Sequence, residues 1–260
     1  FYCSSSAHGG ICRCYAVRKG NSADTPQITK VMDLEAGKAK TMGWVLLASF
    51  VVVFIIVLSG VAEEEDYQAF LAINVTWSST YLNPIFIVIS RYGRSYFWIP
   101  VVLLSWILGG EKYKRASLMM ALTFIFIIAV GLSIKAFYYR PRPFLTIREA
   151  RVLLPKPTDS SFPSGHALIV FGGATVALLY FKRKYSLPLL VEALLVAYSR
   201  MYVGLHYPTD VVAGALLGSS IGLLSYAYLN DKAYFDYLYR SMMSIYCGLI
   251  SLFRGKKGNR

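Results

Sequence analysis

Long apolar runs alternate with short polar connections along this chain. The runs begin at Trp44, near Phe97, at Ala116, just after His166, at Leu187 and at Val211. Most approach the roughly 20 residues that cross a bilayer core as a helix, which predicts an all-α protein built as a six-span transmembrane helix bundle. The second run is the shortest: Phe97 to Gly109 contains Pro100 and must recruit Ser95 and Tyr96 to near membrane thickness. The apolar stretch from Tyr81 to Ser90 is expected along the outer interface or packed on the bundle. Three segments follow: a polar leader over 1–43, the membrane domain over 44–230, and a basic tail over 231–260. The tail mixes Tyr and Leu with Lys and Arg, as an amphipathic helix on the inner membrane surface does.

Composition agrees with this pattern. Of 260 residues, 56% are hydrophobic and only 16% charged, which excludes an ordinary soluble domain. No cleavable signal peptide is evident before the first apolar run, so the first span is expected to anchor itself. Cys3, Cys12 and Cys14 fall in the leader and Cys247 near the far end, a spacing that builds no disulfide framework. Together with His8, the three leader cysteines offer a zinc-ligand set, against which a disordered tail is the stronger expectation.

The net charge of +13 is distributed over alternate connections. Lys and Arg cluster before the first run, at Lys112, Lys114 and Arg115, at Lys182 to Lys184, and in the tail. By the positive-inside rule these face the cytoplasm, with both termini there and Glu63 to Asp66 outside. One outside connection breaks the rule: residues 135 to 163 hold Lys135, Arg140, Arg142, Arg148, Arg151 and Lys156 against Glu149 and Asp159. Spans on both sides leave no extended basic face for a nucleic acid. A small anion such as a phosphate group at the membrane surface fits better.

Three motifs bracket this basic loop. Lys135 is followed after six residues by Arg142-Pro143; Pro163-Ser164-Gly165-His166 opens the fourth span; Ser199-Arg200 precedes His206 and Asp210. The chain crosses once after His166 and returns before His206, so all three motifs end on one extracytoplasmic face. Lys135, Arg142 and Arg200 are candidates to clamp the negative oxygens of a phosphoryl group, whose transfer depends on electrostatic clamping. Ser164 and Gly165 precede an apolar helix, where backbone N–H groups at the positive end of the dipole suit phosphate oxygens. The chain has three histidines, His8, His166 and His206. Pro208 suits a first helical turn that also holds Asp210. Asp210 is then placed to accept from one ring nitrogen of His206, leaving the other free to attack phosphorus, with His166 as general acid.

The pattern K-x6-RP, PSGH, SR-x5-H-x3-D resembles that of the type-2 phosphatidic acid phosphatase superfamily of integral membrane lipid phosphatases, over roughly residues 44 to 230. The resemblance implies a six-helix membrane core and phosphohistidine chemistry without metal or other cofactor. It implies as partners the bilayer and a lipid phosphate or diphosphate. A polyprenyl diphosphate is the favoured substrate, because Arg140, Arg148, Arg151 and Lys156 exceed what one phosphoryl group needs. Phosphatidic acid and phosphatidylglycerol phosphate are the competing substrates. A phosphotransferase and a non-catalytic lipid-binding or transport protein are the rival functions. Vanadium haloperoxidases share the constellation but are soluble. Asn74-Val75-Thr76 is a glycosylation sequon on an outside connection.

Overall fold

The computed structural model of the chain describes residues 25–255, and every regular element among them is helical. In chain order these are α1 (Thr25–Ser59), α2 (Glu63–Leu71), a π-helical turn (Ala72–Thr76), α3 (Asn83–Tyr92), α4 (Ser95–Leu108) and α5 (Glu111–Phe137). There follow α6 (Pro143–Thr146), α7 (Gly165–Tyr180), α8 (Arg183–Tyr202), α9 (Pro208–Leu229) and α10 (Ala233–Gly255). Each expected apolar run falls on a helix: α1, α4, α5, α7, α8 and α9. Among the described residues, three stretches are long and apolar enough to cross a membrane: Ala36–Ser59 of α1, all of α5 and all of α9. The apolar helices α4 and α7 have 14 and 16 residues, about 21 and 24 Å at the α-helical rise. Helix α1 begins upstream of Trp44, inside the polar leader. Cys3, His8, Cys12 and Cys14 lie outside the described residues.

Helices α7 and α9 form the centre, with α1 against α9, α8 against α7, and α5 against both. Glycines set how closely the central pair approaches. On α9, Gly214, Gly218 and Gly222 recur every fourth residue and form one stripe facing α7. A methyl group at Gly218 would lie 2.3 Å from the carbonyl oxygen of Leu168, and one at Gly214 2.7 Å from that of Ser164. Small residues at this spacing let backbones touch, the packing that holds helices together where no water is present to drive association. Here the close approach brings the N-terminus of α7 beside that of α9. Large apolar side chains such as Ile55, Leu104, Ile125 and Leu194 point outward from the bundle.

Shorter elements roof one end. Helix α3 packs on α8, with Phe86 against Tyr198 and Tyr202, in keeping with the expected packing of that stretch on the bundle. The loop after α5 is pinned by Asn74, whose Nδ2 donates to Arg151 O at 2.9 Å and Tyr202 O at 2.8 Å, while Arg151 N donates to Oδ1. Asn74 is fully buried, and the side-chain nitrogen of the sequon is committed to the fold. At the opposite end, α10 docks one face on the bundle. Phe235 and Tyr239 are buried, and Asp236 pairs with Arg115 at 2.7 Å.

Candidate phosphoryl site

The roofed end contains a cavity of about 780 Å³ between α4, α5 and α7. Lys135, Arg142, Gly165, His166, Arg200 and His206 line it. Six of the eight predicted site residues therefore meet at one cavity from three separate stretches of chain. The seventh, Asp210, is fully buried behind His206.

Ser164 differs from expectation. Its backbone N–H donates to Asp210 O at 3.0 Å and its hydroxyl is buried without a partner, and of the pair Gly165 lines the cavity. Close packing of α7 on α9 is the reason: the first turn of one helix caps the other.

His206 is held from three sides. It follows Gly204, whose φ of +82° favours glycine, and where a methyl group would strike Arg151 O at 2.2 Å. Its Nδ1 lies 3.5 Å from Asp210 Oδ2, beyond ordinary hydrogen-bond length but within strong electrostatic range. Its Nε2 lies 3.3 Å from Arg142 Nη1, a group that only donates. Nε2 accordingly carries the lone pair and Nδ1 the proton, the tautomer a nucleophilic Nε2 requires. Burial, with Arg200 and Arg142 nearby, pushes His206 down to about 3 against the pull of Asp210. The ring is neutral at neutral pH.

Asp210 accepts three hydrogen bonds. Oδ2 accepts from the Tyr207 N–H at 2.9 Å and from the Ser161 hydroxyl, while Oδ1 accepts from Arg140 Nη1 at 2.6 Å. Arg140 also donates to Asp66 Oδ2 at 2.6 Å, and Asp66 accepts from the backbone and hydroxyl of Thr209. Arg140 is thus a structural bridge between two buried carboxylates, which corrects its reading as a surplus phosphate ligand. The other surplus cations are corrected likewise. Arg151 donates to Asn74 O at 3.2 Å, Lys156 stands over the Phe144 ring, Arg148 is exposed, and none of the four lines the cavity.

The clamp itself contains an acid that sequence reasoning overlooked. Lys135 Nζ pairs with Asp159 Oδ2 at 2.9 Å and Arg142 Nη2 with Asp159 Oδ1 at 2.6 Å. Burial works to raise the Asp159 carboxyl, but Lys135 and Arg142 outweigh it and hold it at about 2. Arg200 is anchored to Ser90 Oγ at 2.6 Å while its buried Nε has no partner. Arg94 was also missed: it caps α4 at the cavity wall, and its only sequence signal is a cation in the short connection between two apolar helices. The rest of the cavity is apolar, lined by Ile99, Val102, Leu103, Phe124, Ile128 and Leu132 from α4 and α5.

Histidine, carboxylate and convergent cations at the end of a helical membrane bundle define a membrane phosphatase. The profile of the PAP2 superfamily matches residues 113–234. The undecaprenyl-diphosphatase of Sulfolobus acidocaldarius is 39% identical over 185 residues, 70% of this chain and 88% of that protein. The undecaprenyl-diphosphatase BcrC of Bacillus subtilis is 29% identical over 63% of this chain and 83% of its own. Among solved structures, Aquifex aeolicus LpxE superposes with a TM-score of 0.54 at 32% identity, covering 62% of this chain and 94% of that one. A PAP2-type phosphatidylglycerolphosphate phosphatase from Bacillus subtilis superposes at 0.61 and 23% identity, covering 74% and 98%. The chain belongs to the PAP2 superfamily, and it is a phosphatase.

Proposed function

We propose that this protein hydrolyses a polyprenyl diphosphate to its monophosphate at the outer face of a membrane. The observation that carries the reading is that one cavity joins a cluster of cations and histidines to an apolar trench between α4 and α5. Such a shape suits a charged headgroup on a long hydrocarbon chain, and the named activity of the Sulfolobus and Bacillus relatives supports the same substrate.

In the proposed reaction His206 Nε2 attacks the terminal phosphorus and the bond from that phosphorus to the bridging oxygen breaks. His166 gives its proton to that oxygen, and the prenyl monophosphate leaves. Water then attacks the phosphohistidine, His166 takes the proton, and the P–N bond breaks to release inorganic phosphate. Lys135, Arg142, Arg200 and the Gly165 backbone hold the phosphoryl oxygens throughout, and Asp210 stabilises the imidazolium. No metal takes part.

The architecture that goes with this reading has six spans, α1, α4, α5, α7, α8 and α9, across residues 44–230, with both termini cytoplasmic. The cationic clusters on alternate connections support it. The deciding experiment measures phosphate release by purified protein in detergent. A C55 prenyl diphosphate, its monophosphate, phosphatidic acid and phosphatidylglycerol phosphate are compared, with and without EDTA. The prenyl diphosphate is expected to turn over fastest and EDTA to leave the rate unchanged. Preference for phosphatidic acid, or loss of activity on chelation, overturns the reading. Impermeant thiol labelling of Arg148→Cys, but not of Lys184→Cys, on intact cells is the expected topology.

A further inference from the structure

Arg94 immediately precedes α4, and the residues of α4 that line the cavity, Ser95, Trp98, Ile99, Val102 and Leu103, form one stripe down that helix. The apolar trench therefore ends at Arg94. Across the cavity stands the start of α7: a methyl group at Gly165 would lie 3.9 Å from Arg94 Nη1 and meet nothing else within 4 Å outside its own helix. Among the described residues, the Arg94 guanidinium has neither a hydrogen-bond partner nor an ion pair within 4.0 Å. The inner cations differ in this respect, since Lys135 and Arg142 are bound to Asp159 and Arg200 to Ser90. Four cations, Arg94, Lys135, Arg142 and Arg200, face the cavity with one carboxylate, Asp159, a surplus of three positive charges. A phosphate monoester carries about −2, and a diphosphate monoester has one more ionisable oxygen.

The geometry points to Arg94 as a separate anchor for the second, chain-attached phosphoryl group of a diphosphate, and so as the residue that sets preference for diphosphate over monophosphate. This rests on the phosphatase reading above and deepens it. With the terminal phosphoryl group at His206 and the hydrocarbon in the trench, the second phosphoryl group falls where the trench meets the cationic end, beside Arg94 and Gly165. A planar guanidinium with free donors suits two oxygens of that group.

The test measures binding as well as turnover. A prenyl methylenediphosphonate and a prenyl phosphonate of the same tail are titrated onto wild-type protein, Arg94→Gln and Arg94→Lys, in uncharged detergent free of anionic lipid. Arg94→Gln should weaken the diphosphonate by about 10- to 100-fold and the phosphonate by less than about 3-fold. Arg94→Lys, which keeps the charge and loses the fork, should fall between. The same split should appear in kcat/KM for prenyl diphosphate against monophosphate. Equal weakening of both ligands overturns the assignment, because Arg94 would then serve the transferred phosphoryl group or the scaffold. No weakening of either overturns it too and leaves Arg94 to lipid headgroups. If the wild-type protein releases phosphate from none of the lipids, the phosphatase reading fails while the binding ratio still decides the role of Arg94.

Discussion

Replacing Arg140 by Met should destabilise the fold far more than it changes substrate choice. Arg140 bridges Asp66 and Asp210 at 2.6 Å each, and the three side chains are 12%, 1% and 0% exposed. Removing the cation from a buried ion pair leaves an uncompensated charge and costs about 3–5 kcal/mol, and here two carboxylates lose their shared partner. For a chain of this size that corresponds to a fall in Tm of about 6–20 °C. The loss is read from thermal unfolding in detergent by tryptophan fluorescence. Asp66→Asn in the same background removes one of the stranded charges and should restore more than about 1 kcal/mol as a coupling energy. A pH arm gives an independent reading. Burial raises the Asp66 carboxyl against Thr209 and Arg140, so the native state binds that proton more tightly than the unfolded chain. Stability from this group is present at low pH and is lost as pH rises through its folded pKa, and without Arg140 the deficit should shrink toward pH 4. The reasoning fails if Arg140→Met costs less than about 1 kcal/mol. It fails equally if the variant stays stable and selectively loses diphosphate turnover, which is the behaviour of a substrate anchor.

The remaining predictions concern the histidine, the glycine stripe and the clamp. Native His206 stays neutral down to about 3 whereas an unfolded imidazole takes a proton below about 6.5, so stability falls as pH drops through that window; thermal unfolding of wild-type protein should lose more between pH 7 and 4 than that of His206→Gln, and parallel curves refute this. His206→Ala should abolish turnover, and His166→Ala should cost about two to four orders of magnitude, checked by phosphate release. Gly218→Val drives a side chain into the backbone of α7 and should unfold the protein or cut activity at least about 10-fold, while Gly248→Ala, with nothing within 4 Å of the added methyl, should be neutral in the same assays. Asp159 is 54% exposed at its side chain and pairs with Lys135 and Arg142, the cations proposed to hold phosphate; Asp159→Asn should change Tm little and tighten inhibition by inorganic phosphate or vanadate several-fold, and unchanged or weaker inhibition argues against competition between Asp159 and phosphate.

What the sequence determined by itself was local or repetitive. The apolar runs locate α1, α4, α5, α7, α8 and α9, because hydrophobic length along a chain is a one-dimensional property that a bilayer imposes. The three motifs were legible because each lies at a helix end, and the packing brings those ends to one cavity. The glycine stripe on α9 was legible in principle, since Gly214, Gly218 and Gly222 repeat at one helical turn, though its partner was not. Tertiary structure alone decided which charges serve the cavity. Arg140 and Arg151 read as free cations, but Asp66 lies 74 residues from the first and Asn74 lies 77 from the second. Arg94 drew no reading from the sequence, yet it faces the same cavity as His206. The Ser164 N–H was expected to meet phosphate, and its bond to Asp210 O comes from the close approach of α7 to α9. The amount of charge is written in the chain; its pairing is set by groups brought together from a distance, because a buried charge takes whatever partner the packing supplies.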